Sequence, residues 1–223
     1  AVKKLVYQEK SIDAGTLLKA LKSNFTGYEE VRRKLLDAPK YGNDHDEADA
    51  MAQMVHEHIC TETAKAGKKY TDLHSYLTVT INNNANTVLG KHTGASPDGR
   101  LAHTFMANAN NPFHGNDKNG LTAMLNSLVK LDPSIHAGCV QNIKFSKQMF
   151  SDYRDKVRAM LNVYFQSGGS QAMISVIGRE DLERAVREPE KYKNLLVRVG
   201  GFSARFVELQ EEEQREIIAR TLY

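Results

Sequence analysis

Apolar residues recur at helical spacing through the first part of the chain. Residues 1–36 predict two helices, and Asp13 or Thr16 is the expected cap of a helix that begins there. One helix face would carry Leu17, Leu18, Leu21 and Phe25, and the pattern resumes after Gly27 with Val31, Leu35 and Leu36. Pro39 and Gly42 then interrupt the periodicity, so a turn is expected there.

A longer amphipathic helix is predicted over residues 45–65. Asn43 or Asp44 is its expected cap, and Gly67 is its expected end. Because the apolar stripe of such a helix normally faces a core, we expect that stripe to be buried. It consists of Ala48, Met51, Ala52, Val55 and Ile59.

The remainder of the chain alternates between strand-like and helix-like segments. Residues 73–81 predict a strand, and the polar residues 82–86 predict a loop at its end. Later strands are predicted at 139–146, 171–177 and 195–199. Four helices are predicted before, between and after them: one that ends at Leu131, one that Ser151 caps, one over 179–187 and one that begins at Glu211. Strands that alternate with helices indicate parallel βαβ units.

Two adjacent glycines interrupt the last apolar run. Val197 and Val199 alternate with Arg198 before Gly200 and Gly201. Glycine inside a strand-like run marks a sharp turn or a close backbone approach, and it costs about 0.5–1 kcal/mol relative to alanine. A tight hairpin buried in a core is the simplest interpretation of the residues alone.

Composition limits the class of protein. Of the 223 residues, 41% are hydrophobic and 26% are charged, which is typical of a soluble globular protein. The chain has no apolar run of about 18 residues and no signal-peptide pattern, so no membrane association is expected. The net charge is +3 and no basic stripe is present, so no nucleic-acid partner is expected. Two cysteines make no disulfide framework, so a cytoplasmic location is expected.

Several motifs follow one another in a fixed order. They are Lys40-Tyr-Gly-Asn-Asp44, Gly94-Ala-Ser-Pro-Asp-Gly-Arg100, Gly115-Asn-Asp-Lys-Asn-Gly120, Asn142-Ile-Lys-Phe145 and Arg198-Val-Gly-Gly-Phe-Ser-Ala-Arg-Phe206. Together they resemble the glycyl radical enzymes, the family of pyruvate formate-lyase, the diol and choline lyases and benzylsuccinate synthase. The resemblance covers nearly the whole chain.

The resemblance implies an α/β fold. The chain would be the C-terminal part of a ten-stranded α/β barrel made of two antiparallel half-barrels, with a glycyl radical loop and a closing C-terminal helix. Residues 1–93 would form the later part of the barrel domain with its outer helices, and residues 94–223 would form the glycyl radical domain. Because the chain lacks an initiator Met and begins inside a predicted helix, we expect a fragment or a processed chain.

The resemblance also implies a chemistry. The radical would reside on Gly201, where the lack of a Cβ allows a flat centre, and nearby valines and phenylalanines are expected to exclude water and oxygen. An S-adenosylmethionine-dependent, iron–sulfur activating enzyme would install the radical. A cysteine in a Gly-Cys-x-Glu-like motif would take it over as a thiyl and act on a small-molecule substrate. In the family that cysteine lies upstream, so an N-terminal half or subunit is the expected partner.

Other candidate residues have simpler interpretations. Cys139 lies in a Gly-Cys-Val-Gln run, but it directly precedes a strand motif, so a buried structural thiol is expected. His56 and Cys60 are four residues apart and could share a metal, but no two further ligands are evident. We therefore interpret both as surface residues and expect no metal in this chain. By resemblance, Gln171 would line the cavity.

One departure and several functions stay open. Asn108 and Ala109 stand where the family usually has aspartate and glycine, which suggests an unusual substrate. The favoured function is that of the radical-bearing part of a lyase that dehydrates its substrate or cleaves a C–C, C–N or C–S bond. The alternatives are a formate acetyltransferase, a fumarate-adding enzyme, a spare radical domain that complements a damaged enzyme, and an inactive scaffold.

Overall fold

A computed structural model describes residues 1–70, 76–81 and 84–223. The α-helices are α1 (Ala14–Lys22), α2 (Glu29–Asp37), α3 (Asp46–Tyr70), α4 (Ala85–Lys91), α5 (Gly120–Leu128), α6 (Lys147–Asp152), α7 (Arg154–Gln166), α8 (Arg179–Arg187) and α9 (Glu211–Ala219). The strands are β1 (Asn142–Phe145), β2 (Met173–Val176), β3 (Leu196–Arg198) and β4 (Ser203–Arg205). A π-helical turn spans Lys3–Gln8, and 3-10 turns span Pro133–Ile135, Pro189–Tyr192 and Phe206–Glu208.

The described residues form two compact units. The first combines residues 1–40 with 85–106, and the second combines residues 41–84 with 107–223. The predicted division between residues 93 and 94 stays a prediction. No helix among the described residues is both long and apolar enough to cross a bilayer.

The first unit is a small helical body around one apolar core. Asp13 caps α1 as predicted, because its side chain accepts the Thr16 N–H at 2.8 Å. Leu17, Phe25 and Leu35 are buried in this core. Leu18 is exposed, so its predicted burial is wrong. It lies about 100° around the helix from Leu17, away from the core.

The Pro-Asp-Gly turn of the first unit forms around a buried arginine. The Gly99 N–H donates to the Ser96 carbonyl at 3.0 Å, which closes the predicted turn. Arg100 is buried and donates to the carbonyls of Gly94, Leu101 and Thr104. The Gly94–Arg100 motif therefore organises its own loop, because the arginine supplies hydrogen bonds that the loop backbone cannot make within itself.

Helix α3 of the second unit starts at Asp46, one residue after the predicted start. The cap predicted at Asn43 or Asp44 stays a prediction, and both side chains bond to a later segment of the chain. Asn43 accepts the Lys118 and Asn119 N–H groups at 2.8 and 3.0 Å. Asp44 accepts from Asn126 and from Lys130. Both residues tie the start of α3 to residues more than 70 positions later in the chain.

Within the described residues the buried side of α3 is polar, so the predicted burial of the apolar stripe is wrong for this chain by itself. Met51, Val55 and Ile59 are exposed, with Val55 at 47% of its possible area. Asp49 and Cys60 are buried instead. Asp49 is held there by an ion pair with Lys130 at 2.8 Å and a hydrogen bond from Ser127 at 3.0 Å. Burying a carboxylate requires such partners, and these decide which side of α3 faces inward.

Gly67 does not end α3, which continues to Tyr70. It is instead a point of close approach. A Cβ at Gly67 would lie 2.2 Å from the Tyr76 Cβ, so only glycine leaves room for that ring.

A parallel βαβ unit forms the centre of the second unit, as predicted. β1 pairs with β2 in parallel, with Ile143 opposite Ile174, and helices α6 and α7 make the crossover. Ser151 is the predicted cap of the helix that the structure shows as α7, but it lies inside α6, so this prediction is wrong. Ser146 caps α6 by accepting the Met149 N–H at 3.2 Å.

The structure describes only residues 76–81 of the predicted strand at 73–81. Residues 71–75 and 82–83 lie outside the described residues. Over 76–81 the one regular feature described is an isolated parallel bridge between Thr80 and Cys139. The predicted loop at 82–86 is wrong at its end, because α4 already begins at Ala85.

A hairpin and two helices complete the second unit. β3 and β4 pair antiparallel, with Val197 opposite Ala204. α8 has the predicted bounds. The first turn of α9 contains Glu211, Glu212 and Glu213, whose negative charges suit the positive end of the helix dipole. The shared core of the hairpin and these helices contains Ile177, Leu182, Ala185, Val197, Val199, Phe206 and Ile217. The hairpin thus rests on a packed base.

Candidate functional site at the glycine hairpin

Gly200 and Gly201 form the loop of the β3–β4 hairpin. The Val199 N–H donates to the Phe202 carbonyl at 3.0 Å, which closes the loop. Gly201 has φ of +111°, a conformation that other residues rarely adopt. A Cβ at Gly201 would meet no described atom within 4 Å beyond its chain neighbours. Backbone conformation, not lack of space, therefore favours glycine here.

The tip of the hairpin is open to solvent in the described part of the chain. Gly201 is exposed, and Phe202 is 49% exposed. Val199 and Phe206 are buried, but they lie below the tip. The expectation that these valines and phenylalanines shield Gly201 is therefore wrong for this chain by itself, because the apolar side chains pack under the loop and leave its tip uncovered.

Arg220, just beyond the end of α9, holds the base of the loop. Its guanidinium donates to the Arg198 carbonyl at 2.8 Å and to the Val199 carbonyl at 2.9 Å. It also forms a buried ion pair with Glu216, one helical turn earlier, at 2.8 Å. Charge-assisted bonds of this kind are the strong ones in proteins. The C-terminal residues and the hairpin are therefore joined through one side chain.

Glu216 is the negative centre of this cluster. Its Oε1 accepts from the Asn108 amide at 2.8 Å and lies 3.2 Å from His114 Nε2. Burial alone would raise the pKa of Glu216, but the hydrogen bond and charge of His114 and the charge of Arg220 outweigh it and lower the pKa to about 2. Glu216 is therefore ionised in the folded protein at neutral pH.

Asn108, the departure from the family pattern, belongs to this cluster. Its side chain is 1% exposed, donates to Glu216 and accepts from the Asn142 amide at 2.8 Å. Asn111 continues the arrangement by exchanging two 2.8 Å hydrogen bonds with the Asn142 backbone at the edge of β1. The asparagine-rich segment thus supplies hydrogen-bond partners to the backbone at the edge of β1 and to the buried carboxylate of Glu216.

Sequence reasoning missed Arg220, Glu216 and His114 as parts of the site. The one available signal was the acid–base pair at positions 216 and 220, four residues apart in the closing helix. Such pairs are usually solvated, and Ile217 and Ile218 between them gave no indication of which side is buried.

We expect acid to weaken the protein through Glu216. Because its folded pKa of about 2 lies below the unfolded value of 4.5, its contribution is complete above pH 4.5 and falls as the pH drops toward 2. The full contribution is on the order of 3 kcal/mol. Denaturant unfolding of the complete protein between pH 6 and pH 3 should show a difference between the wild type and Glu216→Gln that shrinks on acidification.

The matched control for this titration is Glu211→Gln. Glu211 lies on the same helix, but it is exposed and pairs with the exposed Arg215. Its curve should run parallel to the wild type. Parallel curves for Glu216→Gln as well would contradict the assignment of a strongly acidic, buried Glu216.

Cys139 is a buried thiol at the start of the strand region, as predicted. It is 5% exposed, and burial raises its pKa above the ordinary value. The Gly138 N–H donates to His136 Nδ1 at 2.9 Å, which leaves the histidine proton on Nε2, 3.5 Å from the Cys139 sulfur. This environment does not favour a thiolate.

The interpretation of Cys60 as a surface residue is wrong, and His56 is partly buried. Cys60 is 2% exposed, and its sulfur lies 3.7 Å from His56 Nε2. The His56 ring packs edge-on against His136, with the ring centroids 5.2 Å apart. The turn of α3 that carries both residues faces inward with Asp49. Among the described residues, no group of three or more His, Cys, Asp or Glu has the arrangement of a metal site.

Gln171 lies in the loop that precedes β2, and its side chain is exposed. Its carbonyl accepts the Tyr164 hydroxyl at 3.0 Å, which fixes the loop to α7. A role of Gln171 at a cavity stays a prediction.

The hairpin lies within a region of the chain that matches a known family. A family model described as glycine radical matches residues 106–207, and one described as pyruvate formate lyase-like matches residues 1–88. Isethionate sulfite-lyase of Bilophila wadsworthia is 33% identical over 99% of this chain and 27% of its own length.

Two solved structures superpose closely. A structure on 1,2-propanediol dehydration in Roseburia inulinivorans gives a TM-score of 0.93 at 36% identity, over 100% of this chain and 29% of the other. Hydroxyproline dehydratase from Clostridioides difficile, with trans-4-hydroxy-L-proline bound, gives 0.94 at 32% identity, over 99% of this chain and 28% of the other.

The fold and the hairpin define a glycine radical domain joined to part of an α/β barrel. The chain belongs to the glycyl radical enzyme family, and the predicted family and fold class are confirmed. It spans about 27–29% of the length of the relatives and structures cited above.

Proposed function

We propose that this chain is the radical-bearing part of a glycyl radical lyase and that Gly201 carries the radical. The observation that carries the proposal is the exposed hairpin tip with Gly201 at φ of +111°, inside the region matched by the glycine radical family. Loss of the α-hydrogen atom leaves an unpaired electron that the flanking amide nitrogen and carbonyl share. Glycine accommodates the flat centre because no side chain opposes it.

Activation requires a partner enzyme in this proposal. An S-adenosylmethionine-dependent, iron–sulfur activating enzyme would remove one hydrogen atom from the Gly201 Cα. The solvent exposure of Gly201 in the described residues supports this, because a second protein has to reach the Cα–H bond. The Gly200–Gly201 loop projects from the packed base formed by Val197, Val199 and Phe206, so contact with its tip does not require unfolding of that core.

A second chain segment would supply the reactive cysteine. The described residues offer Cys60 and Cys139, and both are buried as free thiols. We propose that an N-terminal half or subunit carries a cysteine whose S–H hydrogen passes to the Gly201 Cα, so that the radical moves to sulfur. That thiyl would then take a hydrogen atom from a small-molecule substrate. The exposed apolar side chains of Met54, Val55 and Ile59 support a covering partner.

The reaction class follows from the relatives. One is named a sulfite-lyase and another a hydroxyproline dehydratase, and both names describe bond cleavage within a small substrate. We propose dehydration or C–S, C–N or C–C cleavage for the complete protein, in the cytoplasm, with Gln171 facing the cavity of the assembled barrel. Asn108 donates a hydrogen bond to Glu216 within this chain. This structural role explains the departure at position 108 without an unusual substrate.

Oxygen exposure tests the location of the radical. After anaerobic activation of the complete protein, brief exposure to air should cut the chain at Gly201 and release the C-terminal peptide that follows the cut. Mass spectrometry of the fragments identifies the site. A cut at another glycine would contradict the assignment, and an unactivated sample treated in the same way is the control.

Cys139→Ser should keep substantial turnover in the complete assembly. Cys139 is buried, and burial raises its pKa, so the thiol has a structural role. Turnover and the glycyl radical signal are measured on the same activated sample. Complete loss of turnover with normal folding and a normal radical would show that Cys139 is the catalytic thiol after all.

A further inference from the structure

Every N–H donor of Arg220 has an acceptor. The Nε donor faces Glu216, the Nη1 donors face the Arg198 carbonyl and Asn142 Oδ1, and the Nη2 donors face the Val199 carbonyl and Glu216. A guanidinium has five such donors in a rigid plane. With all of them used and the side chain 9% exposed, the orientation of Arg220 is fixed.

The two carbonyls that Arg220 binds are consecutive in the chain. In a regular strand, successive carbonyls point to opposite edges, so one planar group cannot reach both. Arg220 reaches both at 2.8 and 2.9 Å because the backbone leaves the strand path at Val199, directly before Gly200. The arginine therefore determines the direction in which the chain enters the glycine loop.

Glu216 and Asn108 keep Arg220 in this position. Both carboxylate oxygens of Glu216 accept hydrogen bonds from the Arg220 guanidinium. Glu216 also accepts one from the Asn108 amide at 2.8 Å. A carboxylate at position 108 would face that of Glu216 at hydrogen-bond distance in a buried site, where like charges repel strongly. The neutral amide at position 108 thus allows Glu216 to stay charged and to hold Arg220.

We propose that Arg220, held by Glu216 and Asn108, is a positioning residue that sets the place of the glycine loop for radical transfer. The proposal rests on the proposed function of Gly201. Transfer of a hydrogen atom between Gly201 and a cysteine requires close contact, and a displacement of about 1 Å can cost roughly 100-fold in rate. A side chain that fixes the entry to the loop therefore affects the chemistry without contacting the reacting atoms.

The test compares Arg220→Met and Arg220→Lys in the complete, activated protein. Turnover is divided by the spin concentration, so that loss of folded or activated protein does not count. We expect kcat per spin to fall by roughly 10- to 100-fold in Arg220→Met, with KM within about twofold. Arg220→Lys should recover part of the loss, because an ammonium group can still bind one of the two carbonyls. Arg215→Met, an exposed position on α9, should match the wild type.

Amide hydrogen exchange of residues 196–206 gives a readout that needs no radical. Arg220→Met should exchange roughly tenfold faster there than the wild type, while the peptide of α5 stays unchanged. If the wild type forms no radical, the proposed function fails, and this measurement still decides whether Arg220 holds the loop. Wild-type exchange together with wild-type turnover per spin in Arg220→Met would overturn the proposal.

Should Arg220→Met fail to fold, Glu216→Gln replaces it in both measurements. It keeps the size of the side chain and removes the charge that orients Arg220. We expect the same directions with smaller effects. A normal loop exchange and a normal kcat per spin in folded Glu216→Gln would equally overturn the proposal.

Discussion

Gly201→Ala is expected to abolish both the glycyl radical signal and all turnover of the complete protein. An alanine at this position places a methyl group on the carbon that has to become flat. It also forces a non-glycine residue to φ of +111°, which costs about 1–3 kcal/mol. Because a Cβ there meets no described atom within 4 Å, the variant should still fold. The loss would then be chemical and not a consequence of unfolding.

Electron paramagnetic resonance after anaerobic activation measures this result directly. The wild type should give a doublet, because one α-hydrogen remains on the radical carbon. Gly200→Ala should keep some of the signal. Gly120→Ala is a matched control for strain, since Gly120 also has a positive φ, of +85°, and open space around a Cβ, but it lies at the start of α5. A full doublet in Gly201→Ala would refute the assignment of the radical to Gly201.

Expressed by itself, the chain is expected to turn over no substrate and to associate or aggregate. Apolar side chains that a closed fold would cover are exposed on α3 and on residues 76–81. They include Met54, Val55, Ile59, Leu77, Val79 and Ile81. Exposed apolar patches of this kind mark interaction surfaces, and the interface with the remainder of the barrel should exceed roughly 2,000 Å².

Size-exclusion chromatography with light scattering tests this prediction. The chain by itself should elute as aggregates or bind a hydrophobic dye, whereas co-expression with the proposed cysteine-bearing partner should give a stable stoichiometric complex. A cooperative monomer that turns over substrate unaided would contradict the need for a partner. A cooperative monomer that accepts a radical but turns over nothing would favour a spare radical domain instead.

Local chemistry made part of the fold predictable. The Gly200–Gly201 hairpin, the Asp13 cap, the Pro-Asp-Gly turn and the bounds of α8 depend on residues within a few positions of one another. Glycine, proline and capping side chains act on the backbone at their own positions, so their effect can be read without knowing the rest of the structure. For the same reason, the position of Gly201 at a loop tip followed from the sequence.

The orientation of α3 could not be predicted in this way. The apolar periodicity of residues 48–59 correctly predicted an amphipathic helix, but it could not tell which partner each side meets. In the described residues, the side with Asp49 and Cys60 is buried, because Lys130 pairs with Asp49 and the His136 ring packs against His56 from positions about 80 residues away. The apolar pattern shows which residues share one side of the helix, but it does not show which other segment packs against that side.

By itself, the sequence determined the class of fold, the family and the glycine at the tip of the hairpin. The tertiary structure alone revealed how that hairpin is held. Asn108 bonds to Glu216 across 108 residues of sequence, and Glu216 holds Arg220 against the backbone before Gly200. A buried charge is stable only where partners from distant segments meet it, and those meetings are decided by packing of the whole unit, which no local pattern records.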